Sequence, residues 1–182
     1  TDVWGFGAGA GLVTLGMSHT CATTPAGQLK CWGTDDYCQL GVDAGPGCSG
    51  FGTNRRSPVD VWGLTADTVF AASAGYQHSC AIVLDGTVKC WGRNDQSPVL
   101  GDGTSTNRSA PVTATVLSPD SIAVAAAANF TCATSSAGVV RCWGGNSFGQ
   151  LGGDAGSSSF TAVEVEGLSG TPIAVSAGWY SA

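Results

Sequence analysis

Short apolar runs, each broken within a few residues by glycine or proline, recur along this chain in a fixed order. Leu12-Val13-Thr14-Leu15-Gly16 opens one cycle, and Val69 to Gly75, Ile122 to Ala127 and Ile173 to Gly178 open the next three. A second and third run follow in each complete cycle, bracketed by the pattern Cys-x9-Cys-Trp-Gly at Cys21/Cys31, Cys80/Cys90 and Cys132/Cys142. A polar, Gly-rich stretch comes next, and a closing run ends the cycle at Pro58-Val59, Pro111-Val112 or Ala162-Val163. No amphipathic run of helical length survives between the breaks. The Val, Ile, Thr and aromatic content of the runs predicts four short strands per cycle. A period of about fifty residues is one supersecondary unit that cannot bury its own apolar face, so units must stack.

The cysteines turn this into a definite register. Ala26, Asp85 and Ala137 stand midway between paired cysteines, and each is followed by glycine: Gly27, Gly86 and Gly138. A three-residue hairpin loop takes a type I turn followed by a left-handed residue, which glycine adopts without steric cost. That loop sets Cys21 opposite Cys31, Cys80 opposite Cys90, and Cys132 opposite Cys142, at a separation a disulfide spans. Zinc sites place cysteines two to four residues apart in sets of four ligands, so the ten-residue spacing reads as a hairpin staple. Cys38 and Cys48 remain and are expected to pair within the enlarged loop of the first unit. Eight cysteines in local pairs point to an oxidising compartment: extracellular (secreted), periplasmic or at the cell surface.

The units run approximately over 7–64, 65–117 and 118–168, with partial units at 1–6 and 169–182, in one repeat array spanning 1–182. Asp2-Val3-Trp4-Gly5 repeats Asp60-Val61-Trp62-Gly63, and Ala177-Gly178-Trp179 repeats Ala74-Gly75-Tyr76. The chain therefore reads as entering and leaving the array within a unit, as the observed part of a longer one.

Composition narrows the chemistry. Seven basic against thirteen acidic residues give a net charge of −6, and the few cations form no broad patch, which argues against a nucleic-acid partner. No stretch approaches the roughly twenty apolar residues of a membrane-spanning helix. The two histidines, His19 and His78, occupy equivalent repeat positions that hold Phe130 and Ser181 elsewhere, so they read as structural. No nucleophile elbow, phosphate loop or zinc-protease helix is present, and neither catalytic residues, metal nor cofactor is expected. Asp35, Asp36, Asp43, Asp102 and Asp154 offer oxygen ligands in loops, but no calcium-loop pattern organises them. Asn107 and Asn129 begin Asn-x-Ser/Thr sequons.

The succession around His78-Ser79-Cys80-Ala81, together with Asn146-Ser147-Phe148-Gly149-Gln150-Leu151-Gly152, resembles the RCC1 repeat, in its cysteine-bearing extracellular bacterial version. The resemblance covers essentially the whole chain, although Ser97-Pro98-Val99-Leu100-Gly101 replaces Gly-Gln-Leu-Gly in the second unit. It implies an all-β fold of disulfide-stapled, four-stranded propeller blades, about three and a half of seven. Trp32, Trp91 and Trp143 are then expected between blades. It also implies a non-enzymatic protein-interaction module whose blade-connecting loops bind the partner, through Tyr37, Asp43, Phe51, Arg55, Arg56, Arg93, Asp95, Arg108 and Phe148. A structural subunit of a surface layer or filament, self-associating blade to blade, is the alternative. Guanine nucleotide exchange, the activity of the family's founding member, fits the disulfides and the acidic charge less well.

Overall fold

The computed structural model describes residues 11–42, 54–64, 69–179 and 181. Twelve strands and no helix make up the described chain, arranged as three four-stranded antiparallel sheets. The first holds β1 (Val13–Leu15), β2 (His19–Thr23), β3 (Leu29–Gly33) and β4 (Arg55–Asp60). The second holds β5 (Val69–Ala74), β6 (His78–Val83), β7 (Val88–Gly92) and β8 (Arg108–Thr113). The third holds β9 (Ser121–Ala126), β10 (Phe130–Ser135), β11 (Val140–Gly145) and β12 (Ser158–Glu164). Strands within each sheet pair in sequence order, as a meander.

The hairpins follow the expected register. Cys21 faces Cys31, Cys80 faces Cys90 and Cys132 faces Cys142, with Cα–Cα distances of 4.1, 4.1 and 4.0 Å, and each pair is disulfide-bonded. Gly27, Gly86 and Gly138 have φ of 80°, 81° and 79°, and their amides donate to the carbonyls of Thr24, Val83 and Ser135 to close the turns. Cys38 is also disulfide-bonded, while Cys48 lies outside the described residues.

Each third strand then breaks register with the fourth at the tryptophan, between Cys31 and Gly33, Cys90 and Gly92, and Cys142 and Gly144. Such a bulge re-aims one side chain. The following glycines take φ of 106° to 109°, and a Cβ on Gly92 would lie 2.6 Å from the Gln77 carbonyl oxygen. Trp-Gly is thus a steric unit: the bulge turns the indole out of its own sheet, and only glycine fits behind it. Pro58 and Pro111 sit in outermost strands, where a missing N–H costs no ladder bond.

The sheets stack face to face through their first and second strands, with the apolar core in the gaps between them. The Ala74 amide donates to Thr14 Oγ1 and the Ala126 amide to Ser73 Oγ, which stitches neighbouring innermost strands together. Ile173 to Gly178, the fourth copy of the opening run, is not a strand, although Val175 and Ala177 pack on the third sheet.

Candidate functional site

Buried histidines, hydroxyls and indoles of the repeat hold neighbouring blades together. The Gln39 carbonyl, in the loop after β3, accepts from Ser79 Oγ (2.8 Å) and Trp91 Nε1 (3.0 Å) of the next sheet. One sheet further on, the Val99 carbonyl accepts from Thr131 Oγ1 (2.9 Å) and Trp143 Nε1 (2.7 Å). A carbonyl oxygen has two lone pairs, and both are used. His19 Nε2 lies 2.8 Å from Ser79 Oγ, and His78 Nε2 lies 2.9 Å from Thr131 Oγ1. Each hydroxyl gives its one proton to a carbonyl, so each Nε2 must carry a proton and donate. Burial lowers the His19 pKa to about 4; burial, and then the charge of His19, lower that of His78 to about 3. Neutral at ordinary pH and enclosed, the two rings are braces.

Trp91 and Trp143 occupy inter-blade positions and are fully buried, whereas Trp32, in the first sheet, is half-buried. Their sockets explain the Leu-Gly pair. Leu40 and Leu100 are fully buried, and a Cβ on Gly41 or Gly101 would lie 2.7 or 2.8 Å from the incoming indole nitrogen. Asp35, Asn94 and Asn146 cap the same loops, each accepting from the amide of the buried leucine, at 3.0, 3.0 and 2.9 Å. The acidic residue at 35 is thereby a loop anchor. Among the described residues no three His, Cys, Asp or Glu side chains converge as a metal site.

What the braces leave uncommitted lies at one end of the blades, where the β1–β2, β5–β6 and β9–β10 turns meet the loops after β3, β7 and β11. Three of the loop residues proposed from sequence come together there. The Arg93 guanidinium carbon sits 4.2 Å above the centre of the Tyr37 ring, a cation–π contact between loops of adjacent blades. Arg93 Nε donates to Asp95 Oδ1 at 2.7 Å and its Nη1 to Gln77 Oε1 at 2.7 Å. Partial burial pushes the Asp95 pKa up, but its bond and charge pairing with Arg93, together with Asn107, outweigh this and hold it below the usual carboxylate range.

The other proposed residues scatter. Asp43 and Phe51 lie outside the described residues. Arg55 and Arg56 belong to β4 and Arg108 to β8, because these strands start earlier than the loop reading allowed. Arg108 is held by Asp102 at 2.7 Å. Phe148 is 73% exposed on the third loop, beside a separate apolar cavity of about 510 Å³ against the third blade. The sequence reading missed Tyr76, Gln77, Asn129 and Trp179, which with Arg93 line a cavity of about 360 Å³ at this end. Their signal was available: the two residues after the turn glycine or alanine vary, as Met17-Ser18, Tyr76-Gln77, Ala128-Asn129 and Trp179-Tyr180.

Models described as "Regulator of chromosome condensation (RCC1) repeat" match residues 26–82, 71–97 and 122–150. The chain belongs to the RCC1-repeat family. It is 30% identical over 162 residues to the human probable E3 ubiquitin-protein ligase HERC4, a match covering 88% of this chain and 15% of HERC4. It is 32% identical over 108 residues to the ultraviolet-B receptor UVR8 of Arabidopsis thaliana, covering 59% of this chain and 23% of that one. The RCC1-repeat chain thus spans well under a third of these relatives. Two solved structures share its fold: yeast RCC1 (Prp20) bound to Kap60, with TM-score 0.75, 19% identity, and 87% of this chain against 37% of that one; and human WBSCR16, with TM-score 0.74, 19% identity, and 86% against 39%. The three sheets are RCC1 propeller blades.

Proposed function

We propose that this RCC1-repeat chain is a non-enzymatic, extracellular protein-interaction module that binds its partner through the loop end of its blades. The observation that carries this reading is the division of labour among polar side chains. Both histidines, the hydroxyls beside the cysteines and two indoles are spent between blades, whereas Tyr37, Arg93, Gln77 and Trp179 gather at one end. Tyrosine, tryptophan and arginine are the residue types that dominate binding energy at protein interfaces. A staple in the central hairpin of each sheet supports an oxidising location. Among solved RCC1-type structures, Saccharomyces cerevisiae Prp20p has binding properties to Gsp1p and histones, so this fold serves protein binding elsewhere.

Blade-to-blade assembly into a filament or layer is the second reading, favoured by the apolar cavity on the third blade, lined by Phe148, Val165, Leu168 and Val175. Affinity capture with the immobilised chain, alongside velocity sedimentation, separates the two. A monodisperse chain whose captured partner is lost on Tyr37→Ala or Arg93→Ala supports the binding module. Ordered polymers, with capture indifferent to both substitutions, would sink it. Nucleotide exchange on a small GTPase is expected to be absent.

A further inference from the structure

The cavity of about 360 Å³ at the loop end has a polarity that names its ligand. Thirteen acidic residues are spread over the chain, yet none lines this cavity, whose one charged lining group at neutral pH is Arg93. The acceptors that flank Arg93 on Gln77 and Asn129 are already spent. Gln77 Oε1 accepts from Arg93, and the Gln77 backbone carbonyl accepts from the Arg93 amide at 2.8 Å. Asn129 Oδ1 accepts from Gln150 Nε2 at 3.3 Å, and the Asn129 backbone carbonyl from the Gly145 amide at 2.7 Å. The complementary donors are not spent: Arg93 Nη2, Gln77 Nε2 and Asn129 Nδ2 meet no acceptor among the described residues. The opposite wall is aromatic, with the Tyr76 and Trp179 rings meeting edge to face at 5.3 Å and 68°, which forms a corner rather than a flat plate.

A wall of N–H donors around one guanidinium selects an acceptor-only group, and among protein side chains the ionised carboxylate is the one with acceptors and no donors. An aromatic corner selects an apolar side chain beside it. We infer that this cavity takes a projecting loop of a partner protein, with an Asp or Glu carboxylate seated among Arg93, Gln77 and Asn129 and an adjacent apolar side chain against Tyr76 and Trp179. The inference rests on the binding-module reading and gives its partner a chemistry. Asp95 holds the Nε edge of Arg93, so the guanidinium is oriented before the ligand arrives and loses little freedom on binding. Tyr37 beneath it adds to that orientation.

The test is selection of a phage-displayed library of disulfide-closed heptapeptides on the whole 182-residue chain. The selected loops should carry Asp or Glu next to a Leu, Ile, Phe or Tyr. Changing that acid to its amide should weaken binding at least tenfold. Arg93→Met and Trp179→Ala should each do the same, while Leu84→Ser, exposed at the opposite end of the blades, leaves it unchanged; thermal unfolding of every variant checks that the chain still folds. A consensus without acids, or binding indifferent to both Arg93→Met and Trp179→Ala, overturns the inference. Selected loops that are lost on Phe148→Ala instead leave the module reading standing and remove this site. If no sequence is enriched at all, both readings fall.

Discussion

Gly101 and Gly103 offer a controlled test of the inter-blade socket, because they share a backbone conformation and only Gly101 faces an indole. Both have left-handed backbones, with φ of 69° and 79°. Alanine at either position carries the same backbone penalty, about 1–2 kcal/mol. A Cβ on Gly103 meets nothing within 4 Å, whereas one on Gly101 lies 2.8 Å from Trp143 Nε1 and 3.0 Å from Cδ1. Trp143 is fully buried and its Nε1 bonds the Val99 carbonyl at 2.7 Å, so the ring cannot yield without breaking that bond. Stranding a buried donor costs about 1–3 kcal/mol, and overpacking a closed core adds about 1–3 kcal/mol. Gly101→Ala is therefore expected to destabilise by about 2 kcal/mol or more beyond Gly103→Ala. Urea unfolding followed by tryptophan fluorescence measures the difference, and the emission of Gly101→Ala should shift to the red as the indole loses its dry socket. Equal losses for the two variants, with unchanged emission, would refute the idea that the Leu-Gly pair exists to seat the next blade's tryptophan.

Acid should loosen the same interfaces. His19 and His78 have folded pKa values of about 4 and about 3 against an ordinary 6.5, so between those limits the unfolded chain binds more protons and stability rises with pH. The contribution is complete above about pH 7 and is lost as pH falls toward the folded values; from pH 7 to pH 5 each ring lowers the folding equilibrium constant by about twentyfold. A denaturation midpoint flat over that interval contradicts the burial described. Thr131→Val removes the donor to Val99 and the acceptor of His78 at a fully buried site, and should lower stability by about 1–3 kcal/mol in the same urea assay. Reduction of the three hairpin staples should cost about 2–3 kcal/mol each in the chain-entropy model, and non-reducing peptide maps should return Cys21–Cys31, Cys80–Cys90 and Cys132–Cys142 as separate linked peptides. Losing the outermost ion pairs is expected to matter little: Lys30→Met, which breaks the exposed bond to Asp60, should change stability by less than about 1 kcal/mol.

The local geometry was readable because its causes are local. Gly27, Gly86 and Gly138 announce a turn type, and the turn type fixes which cysteines face each other ten residues apart. The placement of tryptophans between blades came instead from the resemblance to a propeller repeat, and Trp91 and Trp143 are buried there. What escaped was long-range. Ser79 and Thr131 read as strand residues beside cysteines, and nothing in the chain order says that each meets a histidine 60 or 53 positions away. That pairing exists only once blades are stacked. The candidate loop residues followed loop length, and so took in Arg55, Arg56 and Arg108, which the fold places at the starts of strands. Tyr76, Gln77 and Asn129 lie in turns too short to draw notice, yet stacking brings those turns to the rim of one cavity.

The loops after β3, β7 and β11 differ in length and lettering, but each is tied at its feet by an Asp or Asn bonded to the amide of a buried leucine. Between those ties the frame claims the Gln39 and Val99 carbonyls, and it leaves side chains such as Tyr37 and Phe148 outside the blade-to-blade bracing. Such a design separates heritable shape from heritable taste: substitutions at the crest can redirect what the molecule touches while leaving its folding untouched. A lineage carrying it can change allegiance one residue at a time.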